Sequence, residues 1–399
     1  MTASLRDTRR RPPVWPRYIF LLFAGVSLLL GLITALSRLG VTTNDLSTTL
    51  SGIHGPLMVF GFIGGAIGLE RAVSVVNSSP THTLWPWAGP GFHALGVITL
   101  IGAASQPTFA PPFITEHPQA IAGIMFTLSQ GVLGALYYSI YRRQPSLAVL
   151  IQACGVIGGA SATALFASGA AFADILPLTA VFVVATIIGE RCELARVSIA
   201  GANAETHLTA LICAVTAASI IYIAAPQLGY PLIGALLIVT AVATARVDIA
   251  RHMLKSTGLP RFSAVAMMLA YAWLSITGLV WLAFGQSSAG FAYDAAVHTL
   301  FIGFTMSMIL AHAPIILTGV IRRPLPYHPV MYVALVLLHT GLAARVISAA
   351  RQATGPWQVA GVVTVLAVVV FLLVSVTLTV RGGSMHATIS HQHTPRVEV

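Results

Sequence analysis

Along most of the chain, apolar residues run on for about twenty positions at a time, apolar on every helical face and broken by short polar stretches. A bilayer core is crossed by roughly 20 such residues. Read between the polar breaks, the pattern predicts twelve spans, at about 17–37, 50–70, 84–104, 119–141, 146–169, 173–190, 207–224, 229–248, 262–284, 295–321, 327–348 and 358–380. The breaks carry turn chemistry, as in Asn77-Ser-Ser-Pro80, Pro107 to Pro112, Pro226-Gln-Leu-Gly229 and Gly285 to Gly290. A membrane barrel alternates apolar and polar residues, and these runs do not. The expected fold is all-α: a polytopic membrane helix bundle of about 12 transmembrane helices. A single bundle over 17–380 is expected between an N-terminal segment, 1–16, and a His-containing tail, 381–399.

Composition points the same way. Of 399 residues 56% are hydrophobic and 8% charged, where a soluble domain carries about a quarter charged. That excludes a soluble enzyme and a disordered chain. Cys154, Cys192 and Cys213, with no CxxC among them, give neither a disulfide framework nor a thiolate cluster.

The 21 basic against 11 acidic residues suggest a nucleic-acid partner until they are placed. Only Lys255 is a lysine, and the arginines sit at the ends of apolar runs. With Arg6, Arg9, Arg10, Arg11 and Arg17 in the cytoplasm, only Arg38, Arg345 and Arg351 fall on the opposite side, against Asp45, Glu116, Asp174 and Asp294. The imbalance therefore encodes topology, with both termini cytoplasmic, and no nucleic acid is implied. The first span has no small-x-small cleavage site and is read as retained. Gly68-Leu-Glu-Arg71 is echoed by Gly189-Glu-Arg191 four spans later, through an old duplication or a shared helix-end anchor.

Ionisable groups within spans read as functional by default. Here they are histidines. His54 lies about four residues into the second span and His298 about three residues into the tenth, from the same side. Two imidazoles at one depth can hold a metal between them. Asp294, one turn before His298, is placed to orient the ring nitrogen that the metal leaves free, or to cap the helix start as a solvated acid. Glycines 61, 64, 65 and 68 leave one side of the second span bare, which suits close helix packing or the flat approach of a porphyrin. His93, His312 and His339 lie deeper and form a second candidate metal group; otherwise each is a hydrogen-bonded interior ring. His298 and His312, 14 residues apart, fall within about 40° of one face but ~21 Å apart along the axis, so they cannot share one metal. Cys192 between Glu190 and Glu193, and the tail histidines His386, His391 and His393, are weaker metal candidates against a buried thiol and a polar terminus.

His54-Gly-Pro-Leu-Met58-Val-Phe60-Gly61-Phe62 resembles the His-x-His-x-Met-x-Phe-Gly-Phe signature of the NnrS family, twelve-span bacterial membrane proteins described as containing haem and copper and linked to nitric oxide. The stretch from His298 through Gly303 and Met308 to Arg323-Pro-Leu325 resembles that family's second signature. Together the two cover about 40 residues. His54 is also placed like the low-spin haem ligand of haem–copper oxidase subunit I. The resemblance implies a b-type haem between His54 and His298, a role in nitric oxide metabolism or nitrosative stress through electron transfer or gas binding, and a place in the bacterial inner membrane, with copper as a further cofactor. The partners implied are nitric oxide, an electron donor and membrane lipid.

The departures limit this. The family's second histidine is Pro56 here, and a later family arginine is Ile315. Position 300 is leucine, the sixth span has no histidine and the seventh no His-His pair, so the ligands of a dioxygen-reducing centre are missing. A secondary transporter without a redox cofactor is the alternative class. A nitric oxide reductase-like enzyme with a reduced metal set is another.

Overall fold

The structure is a computed structural model that describes residues 13–42, 49–79, 83–105, 116–194 and 203–392. All regular elements among these are helical. Eleven are long and apolar enough to cross a membrane: α1 (Trp15–Arg38), α2 (Ser51–Ser78), α3 (Trp85–Ala104), α4 (Pro118–Arg143), α5 (Leu147–Ala167), α7 (Ala204–Ala224), α8 (Pro226–Val247), α9 (Gly258–Phe284), α10 (Gly290–Ile321), α11 (Met331–Ala350) and α12, whose helix runs over Thr354–Gln392. The expected span at 173–190 is α6 (Leu176–Leu194), a shorter helix that carries Glu190, Arg191 and Glu193 in its last turn and a half. The protein is thus a multi-pass, all-α membrane bundle. Most of the 1–16 segment lies outside the described residues, as do Asp45, the Pro107–Pro112 break and His393, and the side chains of His386 and His391.

Local chemistry sets the helix ends. Pro16, Pro118 and Pro226 occupy first-turn positions, where a missing N–H costs nothing. The Ser146 hydroxyl accepts from the Val149 N–H at the start of α5. Gly285 at φ 63° stops α9, and Arg322 in the left-handed region stops α10. The second helix outruns its expected end by eight residues; Arg71 is paired with Glu70 beside it and with Glu190 of α6, which lets the helix continue through the charged pair.

The core is organised round α6, which is buried on almost every face from Leu176 to Cys192. Its neighbour α5 approaches closely through small residues. A Cβ on Gly155, Gly158 or Gly159 would press on Thr186, Leu178 or Gln130. The tenth and second helices each contain an eight-residue π-helical stretch, Thr299–Met306 and Leu57–Gly64. Such stretches are rare and are frequently found at functional sites.

Candidate functional site

Both π-helical stretches begin within three residues after a candidate histidine. Pro56 and Gly55 separate His54 from the first, and His298 abuts the second. The two rings are anchored alike. Nδ1 of His54 lies 3.0 Å from the Gly31 carbonyl on α1, with the Thr34 hydroxyl also at 3.0 Å. Nδ1 of His298 lies 2.8 Å from the Asp294 carbonyl, one turn back. A carbonyl can only accept, so each Nδ1 carries the proton and each Nε2 keeps its lone pair. Among the described residues, no hydrogen bond engages either Nε2. Both rings are half-buried and lie within electrostatic reach of each other.

Asp294 is not a solvated cap; its side chain is 17% exposed. Its carboxylate sits 3.3 Å from His298 Nδ1, behind the closer backbone carbonyl. Arg345 Nε and Nη2 bind its two oxygens at 3.1 and 2.7 Å, and the Trp357 indole donates to Oδ2 at 3.1 Å. Arg345 in turn lies over the Trp357 ring, with Cζ 4.8 Å from its centroid. His298 thus sits at the end of a chain drawn from three helices, α10, α11 and α12.

The donor chemistry is what a bis-imidazole metal site needs: two bare ring nitrogens, each with its second nitrogen fixed by the backbone. The glycine-lined side of α2 divides in two. A Cβ on Gly61 would meet Ser27, and one on Gly65 would collide with the His93 ring, so these two serve helix packing. Gly68 faces open space.

The structure does not bring His93, His312 and His339 together as the expected inner group. His312 donates from Nδ1 to the Met308 carbonyl at 2.7 Å, and its Nε2 accepts from Arg191 Nη1 at 3.3 Å. Nδ1 of His339 accepts from the Trp273 indole at 2.8 Å, which leaves Nε2 as a donor, 3.4 Å from the Ser307 hydroxyl. Neither ring keeps a lone pair for a metal. Positions 307 and 312 are about 140° apart round the helix, so the partners of the two rings lie on different sides of α10. His93 is buried against α2 and the edge of Phe126, with Nε2 unpartnered. Among the described residues, no three His, Cys, Asp or Glu side chains converge as a metal-binding group, Cys192 included.

Sequence spacing missed the polar network beside His312. Arg191 binds Asp248 through Nε–Oδ2 at 3.0 Å and Nη2–Oδ1 at 2.6 Å, and the Tyr271 hydroxyl donates to Oδ2 at 2.6 Å. The echoed Glu–Arg motifs also proved to be partners rather than parallel anchors, because Arg71 reaches across to Glu190 and Glu193.

Residues 17–380 match the model of a family described as a domain of unknown function, DUF8744, and the chain belongs to that family. No curated protein matches the chain.

Proposed function

We propose that this is a haem-binding integral membrane protein, with a b-type haem held between His54 and His298, acting in nitric oxide metabolism or the response to nitrosative stress. The observation that carries the reading is the matched pair of imidazoles, each anchored through Nδ1 on a backbone carbonyl and each left with an unused Nε2. The nitric oxide role rests on the resemblance of the His54 and His298 motifs to the NnrS family. A haem bound there would supply a one-electron iron couple. The chain's own part is to fix both rings and to hold the Asp294 negative charge beside His298 through Arg345. His54 and His298 would hold the group, and a haem bound by two imidazoles would suit electron transfer better than gas binding. The arginine distribution supports cytoplasmic termini, and we propose the bacterial inner membrane as the location.

The test is the absorption spectrum of the full-length protein purified in detergent, with haem identity from its pyridine adduct. A low-spin spectrum is expected, and His54→Ala or His298→Ala should abolish it or convert it to high spin. Purification without haem after expression with ample haem supply, or an unchanged spectrum in both variants, would overturn the assignment. Nitric oxide added to the reduced protein should perturb the spectrum; a spectrum indifferent to it would remove the nitric oxide role and leave the haem.

A further inference from the structure

At the arginine-rich end of α2, three carboxylates gather round one guanidinium. Arg71 Nη1 lies 3.0 Å from Glu193 Oε2 and Nη2 3.0 Å from Glu190 Oε1. Arg71 Nε lies 2.9 Å from Glu70 Oε2, close enough for an ion pair but out of line for a hydrogen bond, so that oxygen is buried with no donor. Gln152 of α5, 0% exposed, donates from Nε2 to Glu193 at 3.0 Å, and its own Oε1 beside the cluster has no partner. Tyr137 of α4, 1% exposed, lies under the guanidinium, with Arg71 Cζ 5.7 Å from its ring centroid, and its hydroxyl is unpartnered too. One cation therefore serves three acids; the buried Glu70 and Gln152 oxygens lack a donor, and the Tyr137 hydroxyl and the Arg71 Nε–H lack a partner.

The neighbouring cations are committed elsewhere. The Arg191 guanidinium is taken by Asp248 and His312. Arg17 donates to Asn77 and to the Gly319 and Val320 carbonyls, and Arg143 to Ser78 and Ser79. Among the described residues, the charges acting on Glu70 are Arg71, Glu190 and Glu193. Carboxylates that share a poorly hydrated site cannot all ionise without large mutual repulsion, and the cheapest remedy is a proton. A proton also supplies the donor that the bare oxygens lack.

We propose that this cluster is a proton-binding site, in which Glu70 carries a proton at neutral pH with Gln152 and Tyr137 as its hydrogen-bonding neighbours, and Glu193 exchanges that proton with water at the arginine-rich face. Glu193 is the most exposed of the three acids, at 38% of its side chain against 23% for Glu70 and 16% for Glu190. The step moves one proton and no electron, and it does not depend on the haem assignment.

Infrared spectroscopy of the full-length protein at neutral pH, in H2O and in D2O, tests it. A carbonyl-stretching band of a protonated carboxylic acid should be present and should shift in D2O. Glu70→Gln should remove it, Glu70→Asp should keep it at a shifted frequency, and Asp174→Asn, a change at an exposed acid, should leave it alone. Glu193→Gln should keep the band and slow its exchange with D2O about tenfold. Absence of the band from the wild-type protein would overturn the proposal without recourse to any variant. A band that survives unshifted in both Glu70 variants would overturn it as well.

Discussion

Arg345 grips both carboxylate oxygens of Asp294, through Nε at 3.1 Å and Nη2 at 2.7 Å, and so ties α11 to the turn of α10 that carries His298. The two side chains are 9% and 17% exposed, so removing either leaves a charge poorly solvated. Asp294→Asn or Arg345→Gln alone should cost on the order of 3 kcal/mol, read as a lower melting temperature in detergent. The double variant should recover more than half of that, because no lone charge remains. Wild-type melting in either single variant would show that the pair does not hold α10 in place.

His54 and His339 should respond differently to mutation. Nε2 of His54 is bare, whereas both nitrogens of His339 face protein partners, Trp273 and Ser307. Under the haem assignment, His339→Gln leaves the visible spectrum unchanged and costs about 1 kcal/mol of stability through the lost indole hydrogen bond. A spectrum altered by His339→Gln as strongly as by His54→Ala would bring His339 back as a ligand.

Where α8 crosses α9, Gly234 and Gly278 face each other. A Cβ on Gly234 would stand 2.6 Å from the Gly278 carbonyl oxygen, and one on Gly278 would stand 2.5 Å from that of Gly234. Backbone cannot yield as a flexible side chain does, so Gly234→Ala and Gly278→Ala should each destabilise by about 1–3 kcal/mol. Gly25→Ala, with nothing within 4 Å of the added carbon, should be neutral or slightly stabilising through the better helix propensity of alanine. Thermal melting of the three variants side by side decides this; equal behaviour would mean the α8–α9 crossing is looser than described.

The bundle was legible because lipid imposes one simple demand, a long apolar helix per crossing, and each apolar run between polar breaks shows it. The histidines His54 and His298 were legible for a related reason: an imidazole in an apolar run is an outlier, and equal depth from one side links two of them. What stayed hidden was pairing between helices distant in sequence. Nothing near Arg71 says that it will meet Glu190 and Glu193, and nothing near Arg191 points to Asp248, 57 residues on. His312 was misgrouped with His339 for the same reason, since depth along a helix was readable but its facing partner was not. The π-helical stretches changed the register just beyond both histidines, which a uniform 3.6-residue period cannot anticipate.

Asp248, in the connection after α8, gives the acid limb of stability. Burial alone would favour its neutral form. The two hydrogen bonds and the charge of Arg191, the Tyr271 hydroxyl and the Ala250 N–H outweigh burial and hold the carboxyl below the usual carboxylate range. A carboxyl with a depressed folded-state pKa stabilises the fold in full above its unfolded value, about 4, and that contribution drains away as the pH falls from there through the folded value. The wild-type protein should therefore lose melting temperature progressively below about pH 4. Asp248→Asn leaves Arg191 without its anion and should cost about 3–5 kcal/mol at neutral pH, with a flatter dependence on acid because the titrating group is gone. An Asp248→Asn protein that melts at the wild-type temperature at neutral pH, or that keeps the full acid limb, would show that the Arg191–Asp248 pair does not stabilise the junction of α6, α8 and α9.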